Sequence, residues 1–436
     1  MQNGGAFQIT GLVYGLSSAL DLVSQSLVNH HREVFSFAIK IADAFPISDH
    51  DKGQICIAAL LHDIGVVAFH GAITPETNDA ELNDHAELGH RLLRDFTPFS
   101  PAARMIRHHH KSALQLKEEE PEELIRLGAG IVHLADAIAQ RLDAGHCLLN
   151  QCQQLRGWAA GNPSGVFIPE VVEAFLQQSN KEFFWFDAKF ATVSQLGGES
   201  ALSGASVALD LEGLKELSAV FGRIIDYRSR HTAAHSRSVA EVAGALAQKA
   251  GFSDGDCCRM QAAGNLHDLG KLALPVSILD KPGALAPEER NLVKSHPYHT
   301  YRILKEIPGL GDIPAWAALH HEVADGTGYP FHLKGDEIPL GARIVAVADN
   351  FAALSEHRPY RLGMERQPCL ELLETSARAG KLDASLVALV AENYDELNEL
   401  THSALSKGQQ EYQKILKESL YWPRITAGAT RTGAHP

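Results

Sequence analysis

Two short stretches of the 436-residue chain decide the fold: Leu266-His267-Asp268-Leu269-Gly270-Lys271 in the C-terminal half and Leu61-His62-Asp63-Ile64-Gly65 in the N-terminal half. Both place a histidine and an aspartate side by side, after a leucine and before an apolar residue and a glycine. A further histidine lies 32 residues before each pair, at His235 and at His30. The two halves therefore resemble each other beyond the pair itself.

The repeated order extends to seven potential metal ligands in each half. A histidine and a double histidine follow each His-Asp pair, with the same 24-residue spacing between them, and an aspartate ends each series. The C-terminal series is His235, His267, Asp268, His296, His320, His321 and Asp349; the N-terminal series is His30, His62, Asp63, His85, His109, His110 and Asp136. Because chance does not produce so long an ordered match, the sequence predicts two tandem copies of one domain.

Apolar residues repeat with helical spacing through most of the chain, and strand-like alternation is scarce. One apolar stripe ends at Gly251, after which Ser253 and Asp256 have the spacing of a capping box. The stripe consists of Val239, Val242, Ala243, Leu246 and Ala247. The sequence therefore predicts an all-α fold.

A segment rich in glycine and serine separates the two predicted domains. We place the N-terminal domain at residues 1–192, the linker at 193–208, the C-terminal domain at 209–405 and a C-terminal tail at 406–436.

Composition limits the classes of function. The formal net charge of −14 disfavours binding to long nucleic acids, which depends on Lys and Arg contacts to phosphate. The sequence begins without a signal-peptide pattern and contains no apolar run long enough to span a membrane, so we expect no membrane contact. The six cysteines form no CxxC pair, which is typical of reduced thiols in the cytoplasm.

Histidine nitrogens and carboxylate oxygens are the usual ligands of Fe, Mn, Zn or Ni. Seven such ligands exceed the needs of one ion, and Asp268 has two oxygens with which to bridge a pair of ions. No cysteine belongs to the set, which argues against a structural zinc site. The C-terminal series therefore indicates a catalytic centre with two metals.

The C-terminal half resembles the HD-GYP family of cyclic dinucleotide phosphodiesterases. The resemblance extends from about Leu211 to Arg361 and rests on motifs in a fixed order. These motifs are His267-Asp268-Leu269-Gly270-Lys271, Pro275 to Leu285, His296-Pro297, His320-His321-Glu322, Asp325-Gly326-Thr327-Gly328-Tyr329-Pro330 and Arg358-Pro359-Tyr360-Arg361. The resemblance implies an all-α fold of two tandem HD-type domains and a centre of two or three divalent ions, with Fe or Mn preferred. It also implies hydrolysis of cyclic di-GMP or cyclic GMP-AMP to a linear dinucleotide.

The resemblance also implies roles for individual residues. The seven residues of the C-terminal series would bind metal, and Asp268 and Lys271 would be catalytic, with Lys271 contacting the scissile phosphate. Arg358 and Arg361 would hold phosphate. Tyr329 would either contact a base or pack the loop that contains it.

Three positions depart from the family pattern. His231 stands where some members have a glutamate that binds a third metal, which favours two metals unless His231 is itself a ligand. Thr300 replaces a usual glycine, and Ala352 replaces a common acid. We expect these last two changes to alter base recognition.

The N-terminal half keeps all seven potential ligands but has Val66 in place of the lysine and no GYP motif. We expect no cyclic dinucleotide hydrolysis there. A metal in this half would act as a brace or a sensor, and the alternative is a scaffold without metal. Because His30 and His31 are adjacent, spacing alone selects His30 as the ligand.

Two other functions remain open: a regulatory protein that senses metal or nucleotide without turnover, and an HD hydrolase of mononucleotides. The intact Lys271 and the GYP motif favour the phosphodiesterase. The tandem layout resembles that of enzymes that open the mixed cyclic GMP-AMP ring. A homodimer or a partner signalling protein is compatible with this hypothesis.

Overall fold

The structure is a computed structural model that describes residues 7–22, 29–68, 79–143, 145–162, 165–192, 195–196, 208–228, 234–356 and 363–417. The chain forms two compact units. The C-terminal unit comprises Met1–Phe7 and Ala208–Lys414, and the N-terminal unit comprises Gln8–Val207 and Ile415–Pro436. The predicted linker lies largely outside the described residues.

The prediction of an all-α fold is confirmed, since the only strands in the described residues are the two-residue segments Phe7–Gln8 (β1) and Ala208–Leu209 (β2). The N-terminal unit contains α1 (Ile9–Asp21), α2 (His30–Ala42), α3 (Asp49–Leu61), α4 (Asp79–Leu93), α5 (Ser100–His108), α6 (Ala113–Glu119), α7 (Glu123–Ala139), α8 (Leu148–Ala160), α9 (Pro169–Gln178) and α10 (Glu182–Phe190). Short 3₁₀ segments lie at Ile64–Ala68 and Thr97–Phe99.

The C-terminal unit repeats much of this order. Its helices are α11 (Leu211–Tyr227), α12 (His235–Lys249), α13 (Asp254–Leu266), α14 (Val276–Leu279), α15 (Pro287–Val293), α16 (His296–Lys305), α17 (Ile313–Ala318), α18 (Leu340–Ser355), α19 (Arg366–Arg378), α20 (Ala384–Glu392) and α21 (Tyr394–Lys417). Its 3₁₀ segments are Leu269–Ala273 and Gly335–Glu337. Because α21 continues to Lys417, the predicted tail begins inside a helix.

Equivalent helices in the two units begin in the same way. The hydroxyl of Ser253 accepts a hydrogen bond from the backbone N–H of Asp256 at 3.2 Å, and Ser48 accepts one from Asp51 at 3.1 Å. These caps satisfy N–H groups that a helix start otherwise leaves unpaired. Ser253 thus caps α13 as expected, but the box is not closed, since the Asp256 carboxylate accepts from the Ser253 hydroxyl at 2.7 Å. Both α3 and α13 have 13 residues and end directly before the His-Asp pair.

A glycine after each pair allows two backbone segments to touch. A Cβ atom on Gly270 would lie 2.0 Å from the carbonyl oxygen of His296, and one on Gly65 would lie 2.0 Å from that of His85. No side chain fits at either position without a backbone shift. These glycines bring the 3₁₀ turn that follows each His-Asp pair against the helix that carries the next histidine.

The predicted apolar stripe on α12 is buried from Val239 to Ala247, and α12 ends before Gly251, which has a φ of 87°. A positive φ favours glycine, because a side chain is disfavoured in that conformation. Among the described helices, none combines the length and the apolar character that a membrane span requires.

Candidate metal centre

The C-terminal unit gathers its predicted ligands from the ends of several helices. His235 and His296 are the first residues of α12 and α16. The His267-Asp268 pair directly follows α13, and the double histidine follows α17. Potential ligand atoms form two groups, within 4.8 Å of one another in each: His235, His267 and Asp268 in the first, and His296, His320 and His321 in the second.

Asp268 belongs to the first group and also faces the second. Its Oδ2 is 3.2 Å from Nε2 of His267, and its Oδ1 is 3.3 Å from Nε2 of His296. Asp349, on α18, has Oδ1 3.0 Å from Nε2 of His235. One carboxylate therefore faces both groups with different oxygens, as a ligand that bridges two ions requires.

Backbone hydrogen bonds orient three of these histidines. Nδ1 of His267, His296 and His320 lies 2.7–2.8 Å from the carbonyl oxygen three residues earlier. Since a carbonyl only accepts, each Nδ1 carries a proton and each Nε2 is turned toward the cluster. Burial opposes the charged ring of His267, but the Asp268 carboxylate beside its Nε2 raises the pKa of that ring, so metal binding there would displace a proton. Nε2 of His296 and of His320 is buried without a hydrogen-bond partner. Buried lone pairs oriented in this way fit a metal.

For His296 and His320, burial keeps the ring neutral and Nε2 unprotonated. Burial lowers the pKa of His296 to about 3 and that of His320 to about 4, so both rings are neutral at neutral pH. Neutral imidazole is the form that binds metal. Burial of Asp349 opposes ionisation, but its hydrogen bond with His235 and the nearby histidines lower the pKa of its carboxyl, which stays ionised.

His235 has a different orienting partner, which the sequence did not reveal. Nδ1 of His235 donates to Oε1 of Glu356 at 3.0 Å, and Glu356 is 3% exposed. Burial opposes the charged ring, yet Glu356 and Asp349 raise the pKa of His235 to about 10, so metal binding there would release a proton. Glu356 lies 121 residues from His235, and no local pattern links the two.

The loop that contains the Gly-Tyr-Pro motif is tied to the centre by Glu322. The carboxylate of Glu322 accepts hydrogen bonds from the N–H groups of Phe331 at 2.7 Å and Leu333 at 2.9 Å. Glu322 is 5% exposed and follows the double histidine directly. Glu322 belongs to the His320-His321-Glu322 motif, but its role becomes visible only from these contacts.

Tyr329 faces the centre from that loop. Its ring lies 4.9 Å from the ring of His321. Burial, together with the charges of Asp268 and Asp349, raises the pKa of Tyr329 to about 12. The phenol is therefore protonated at neutral pH and able to donate a hydrogen bond at the mouth of the centre.

Lys271 lies beside the ligand cluster. Its Nζ is 2.5 Å from Oδ2 of Asp268, and burial opposes its charge, but Asp268 raises its pKa. The predicted phosphate-binding residues Arg358 and Arg361 lie outside the described residues, as does His231.

The two departures that we expected to alter base recognition are both buried. Thr300 and Ala352 are both 0% exposed. The hydroxyl of Thr300 accepts a hydrogen bond from Gly270 N–H at 2.9 Å and donates to the carbonyl oxygen of His267 at 3.1 Å. Thr300 thus fixes the turn that carries the His-Asp pair, and any effect of either residue on base recognition would be indirect.

The N-terminal unit assembles its series in the same arrangement. Asp63 has Oδ2 3.4 Å from Nε2 of His62 and Oδ1 3.3 Å from Nε2 of His85. Nδ1 of His62 and of His109 lies 2.9 Å and 2.7 Å from a carbonyl oxygen three residues earlier. The two groups of potential ligands are His30, His62 and Asp63, and Asp63, His85, His109 and His110.

The structure also separates the two adjacent histidines of this unit. Nε2 of His30 lies 3.1 Å from Oδ1 of Asp136, inside the cluster, whereas Nδ1 of His31 donates to Asp21 at 2.5 Å. Asp21 and His31 occupy the positions of Asp226 and Ser236, which are hydrogen bonded in the C-terminal unit. The position that spacing selected is therefore the one that faces the cluster.

The surroundings of the N-terminal cluster differ. Val66, 4% exposed, replaces Lys271. Gln140 donates to both carboxylate oxygens of Asp136, at 2.9 and 3.0 Å. The side chain of Asp136 is 4% exposed, whereas that of Asp349 is 18% exposed. Within the described residues, the N-terminal cluster therefore has a more buried final aspartate and no ammonium group at the position of Lys271.

Two family models, both for the HD domain, match the chain, one over residues 27–141 and the other over residues 219–386. The 3'3'-cGAMP-specific phosphodiesterase 1 of Vibrio cholerae is 28% identical over 88% of this chain and 92% of its own length. The cyclic di-GMP phosphodiesterase response regulator RpfG of Xanthomonas campestris is 37% identical over 44% of this chain and 47% of its own length.

A solved structure, that of a cyclic GMP-AMP-specific phosphodiesterase of V. cholerae (V-cGAP3), superposes with a TM-score of 0.60 and 24% identity. The match covers 92% of this chain and 98% of that structure, and it shows the fold. The resemblance to phosphodiesterases of the HD-GYP type is thus confirmed by relatives over most of the chain. Each half of the chain thus contains one HD domain.

Proposed function

We propose that the C-terminal unit hydrolyses a 3'–5' phosphodiester bond of a cyclic dinucleotide to give a linear dinucleotide, which ends a second-messenger signal. The observation that carries the proposal is the pair of ligand groups joined by Asp268, with Lys271 on the same carboxylate. Two divalent ions, Fe or Mn, would be held by His235, His267, Asp268, His296, His320, His321 and Asp349. When bound, they supply positive charge and an acidified water for attack on phosphorus.

Other side chains would bind the substrate and stabilise the transition state. Lys271 would move from Asp268 to the scissile phosphate, where its charge stabilises the transition state and the leaving oxygen. Tyr329 would donate a hydrogen bond to the substrate from the loop that Glu322 holds. Arg358 and Arg361 would hold phosphate; this assignment rests on sequence alone.

The mixed ring, 3',3'-cyclic GMP-AMP, is the substrate that we place first, and cyclic di-GMP is the second. The relative that covers 88% of this chain is named for the mixed ring, whereas RpfG, named for cyclic di-GMP, covers 44%. We further propose a cytoplasmic protein that acts as a homodimer or with partner signalling proteins and binds no polymeric nucleic acid, in line with its net charge of −14.

Hydrolysis by the full-length protein, loaded with manganese or ferrous iron, tests the proposal. Both rings and GMP are supplied separately, and the products are separated by chromatography. We expect turnover of a ring that a chelator abolishes. Turnover of GMP alone would support a mononucleotide hydrolase, and ring binding without turnover would support a sensor.

We also propose that the N-terminal unit binds metal without hydrolysing cyclic dinucleotides. Nε2 of His109 is buried without a hydrogen-bond partner, and burial lowers its pKa to about 3, so that it presents a lone pair. The ligands would be His30, His62, Asp63, His85, His109, His110 and Asp136. Elemental analysis tests this directly: His62→Ala and His267→Ala should each lower, but not abolish, the metal content. Unchanged content in His62→Ala would refute an N-terminal metal.

A further inference from the structure

Lys294 lies at the mouth of the C-terminal centre and has no assigned role. It precedes His296 by two residues, is exposed, and places Nζ 5.6 Å from the centre of the Tyr329 ring. The same ring lies 4.9 Å from the ring of His321. Lys294 therefore reaches the side of the centre that the Gly-Tyr-Pro loop forms.

The ammonium group of Lys294 is available to an anion. Within the described part of the chain it makes no hydrogen bond and no ion pair, whereas Lys271 is paired with Asp268. In a chain with a net charge of −14, an unpaired cation beside a cluster of buried histidines and aspartates is a local exception. Such a cation attracts a polyanionic substrate to the mouth of the centre.

A cyclic dinucleotide carries two phosphodiester groups, of which one is cleaved. The metal ligands and Lys271 would serve the phosphate that reacts. Besides Arg358 and Arg361, whose role follows from the resemblance, a cation further from the ligand cluster would serve the second phosphate. The N-terminal unit lacks both lysines together, since Val66 and Asn83 occupy the positions of Lys271 and Lys294. The N-terminal unit thus lacks an equivalent of Lys294 as well as an equivalent of Lys271.

We propose that Lys294 binds the phosphate that is not cleaved, and so favours a cyclic dinucleotide over a substrate with a single phosphodiester. This inference rests on the proposed function. Lys294 would be a binding and specificity residue, and its ammonium group would move from the face of Tyr329 to the phosphate oxygens through a charge-assisted hydrogen bond.

The test compares Lys294→Gln with the unaltered protein on two substrates: 3',3'-cyclic GMP-AMP, which has two phosphodiesters, and bis(4-nitrophenyl) phosphate, which has one. We expect KM for the ring to rise about tenfold, by far more than KM for the single phosphodiester. Lys294→Arg should restore KM to within about twofold because it keeps the charge. The dependence of kcat/KM for the ring on ionic strength should weaken in Lys294→Gln.

Lys305→Gln is the matched control, because Lys305 is also exposed and holds Nζ 5.3 Å from the ring of Tyr301. It should leave both substrates unaffected. An equal loss on both substrates in Lys294→Gln would overturn the proposal, since Lys294 would then act by positioning Tyr329. An unchanged KM for the ring would overturn it as well.

If the proposed function is wrong, the role of Lys294 can still be tested by binding. If the unaltered protein hydrolyses neither substrate, equilibrium dialysis of the metal-loaded protein against 3',3'-cyclic GMP-AMP still compares Lys294→Gln with the unaltered chain. About tenfold weaker binding of the ring in the variant supports the role of Lys294. Equal binding, or no binding by either protein, overturns it.

Discussion

The two halves of this chain hold nearly the same set of ligands in different surroundings. In each, an aspartate that follows a histidine faces two groups of ligand atoms with different oxygens, Asp268 in one half and Asp63 in the other. Around Asp268 there is an ammonium group and a carboxylate that is 18% exposed, Asp349. Around Asp63 there is the apolar Val66 and the more buried Asp136.

This difference separates what metal binding requires from what hydrolysis requires. Ligand type and orientation are set by short local features: the His-Asp pair, the backbone carbonyl three residues before a histidine, and the glycine after the pair. Access and positive charge for a phosphate depend on other residues. A duplicated domain can therefore keep the features that bind metal and lose the residues that bind a phosphate. Substitutions in the two sets should have different effects.

The largest effect should come from the histidine that both halves share. His267→Ala should lower turnover of the cyclic dinucleotide by roughly a thousandfold or more, because the metal-based activation of water is lost. His62→Ala, the same change in the N-terminal half, should retain most of the activity. Steady-state kinetics on proteins whose folding is checked by circular dichroism measure both. Comparable losses in the two variants would show that the N-terminal half takes part in the chemistry.

Lys271→Ala should keep the metal and lose rate. Because Lys271 contributes charge in the transition state, kcat should fall on the order of a hundredfold while the metal content stays the same. Single-turnover kinetics and elemental analysis of the same sample decide the outcome. A loss of metal together with rate would mean that Lys271 serves to hold Asp268, its present partner.

Glu356 should affect metal affinity, because it orients one of the ligands of the C-terminal half. His235 is oriented by this carboxylate, whereas His267, His296 and His320 are oriented by backbone carbonyls that no substitution removes. Glu356→Ala should weaken metal affinity by about 10–100-fold, and Glu356→Gln, which keeps an acceptor, by less. Competition with a chelator of known affinity measures both. Equal affinity in all three proteins would exclude this orienting role.

The sequence predicted the helical fold and the repeat because both depend on local patterns and ordered spacing. It also predicted which residues cluster, since seven positions recur in order in each half. It could not predict Glu356, whose contact with His235 spans 121 residues and arises from the packing of α12 and the residue that follows α18. It could not show that Thr300, which we expected to alter base recognition, has a fully buried side chain.

Substitution of Thr300 should have the smallest effect. This residue also differs between the halves, since Gly89 occupies the equivalent N-terminal position. Thr300→Val removes the hydroxyl that pairs with Gly270 N–H and His267 O, and leaves a buried donor unsatisfied. We expect the free energy of unfolding to fall by about 1–3 kcal/mol. The ratio of kcat/KM between the mixed ring and cyclic di-GMP should stay constant, because the side chain is fully buried. Chemical denaturation measures the first quantity and paired kinetics the second. A changed ratio of kcat/KM with unaltered stability would show that Thr300 influences base recognition. It would do so indirectly, by moving the His267-Asp268 turn that its buried hydroxyl holds.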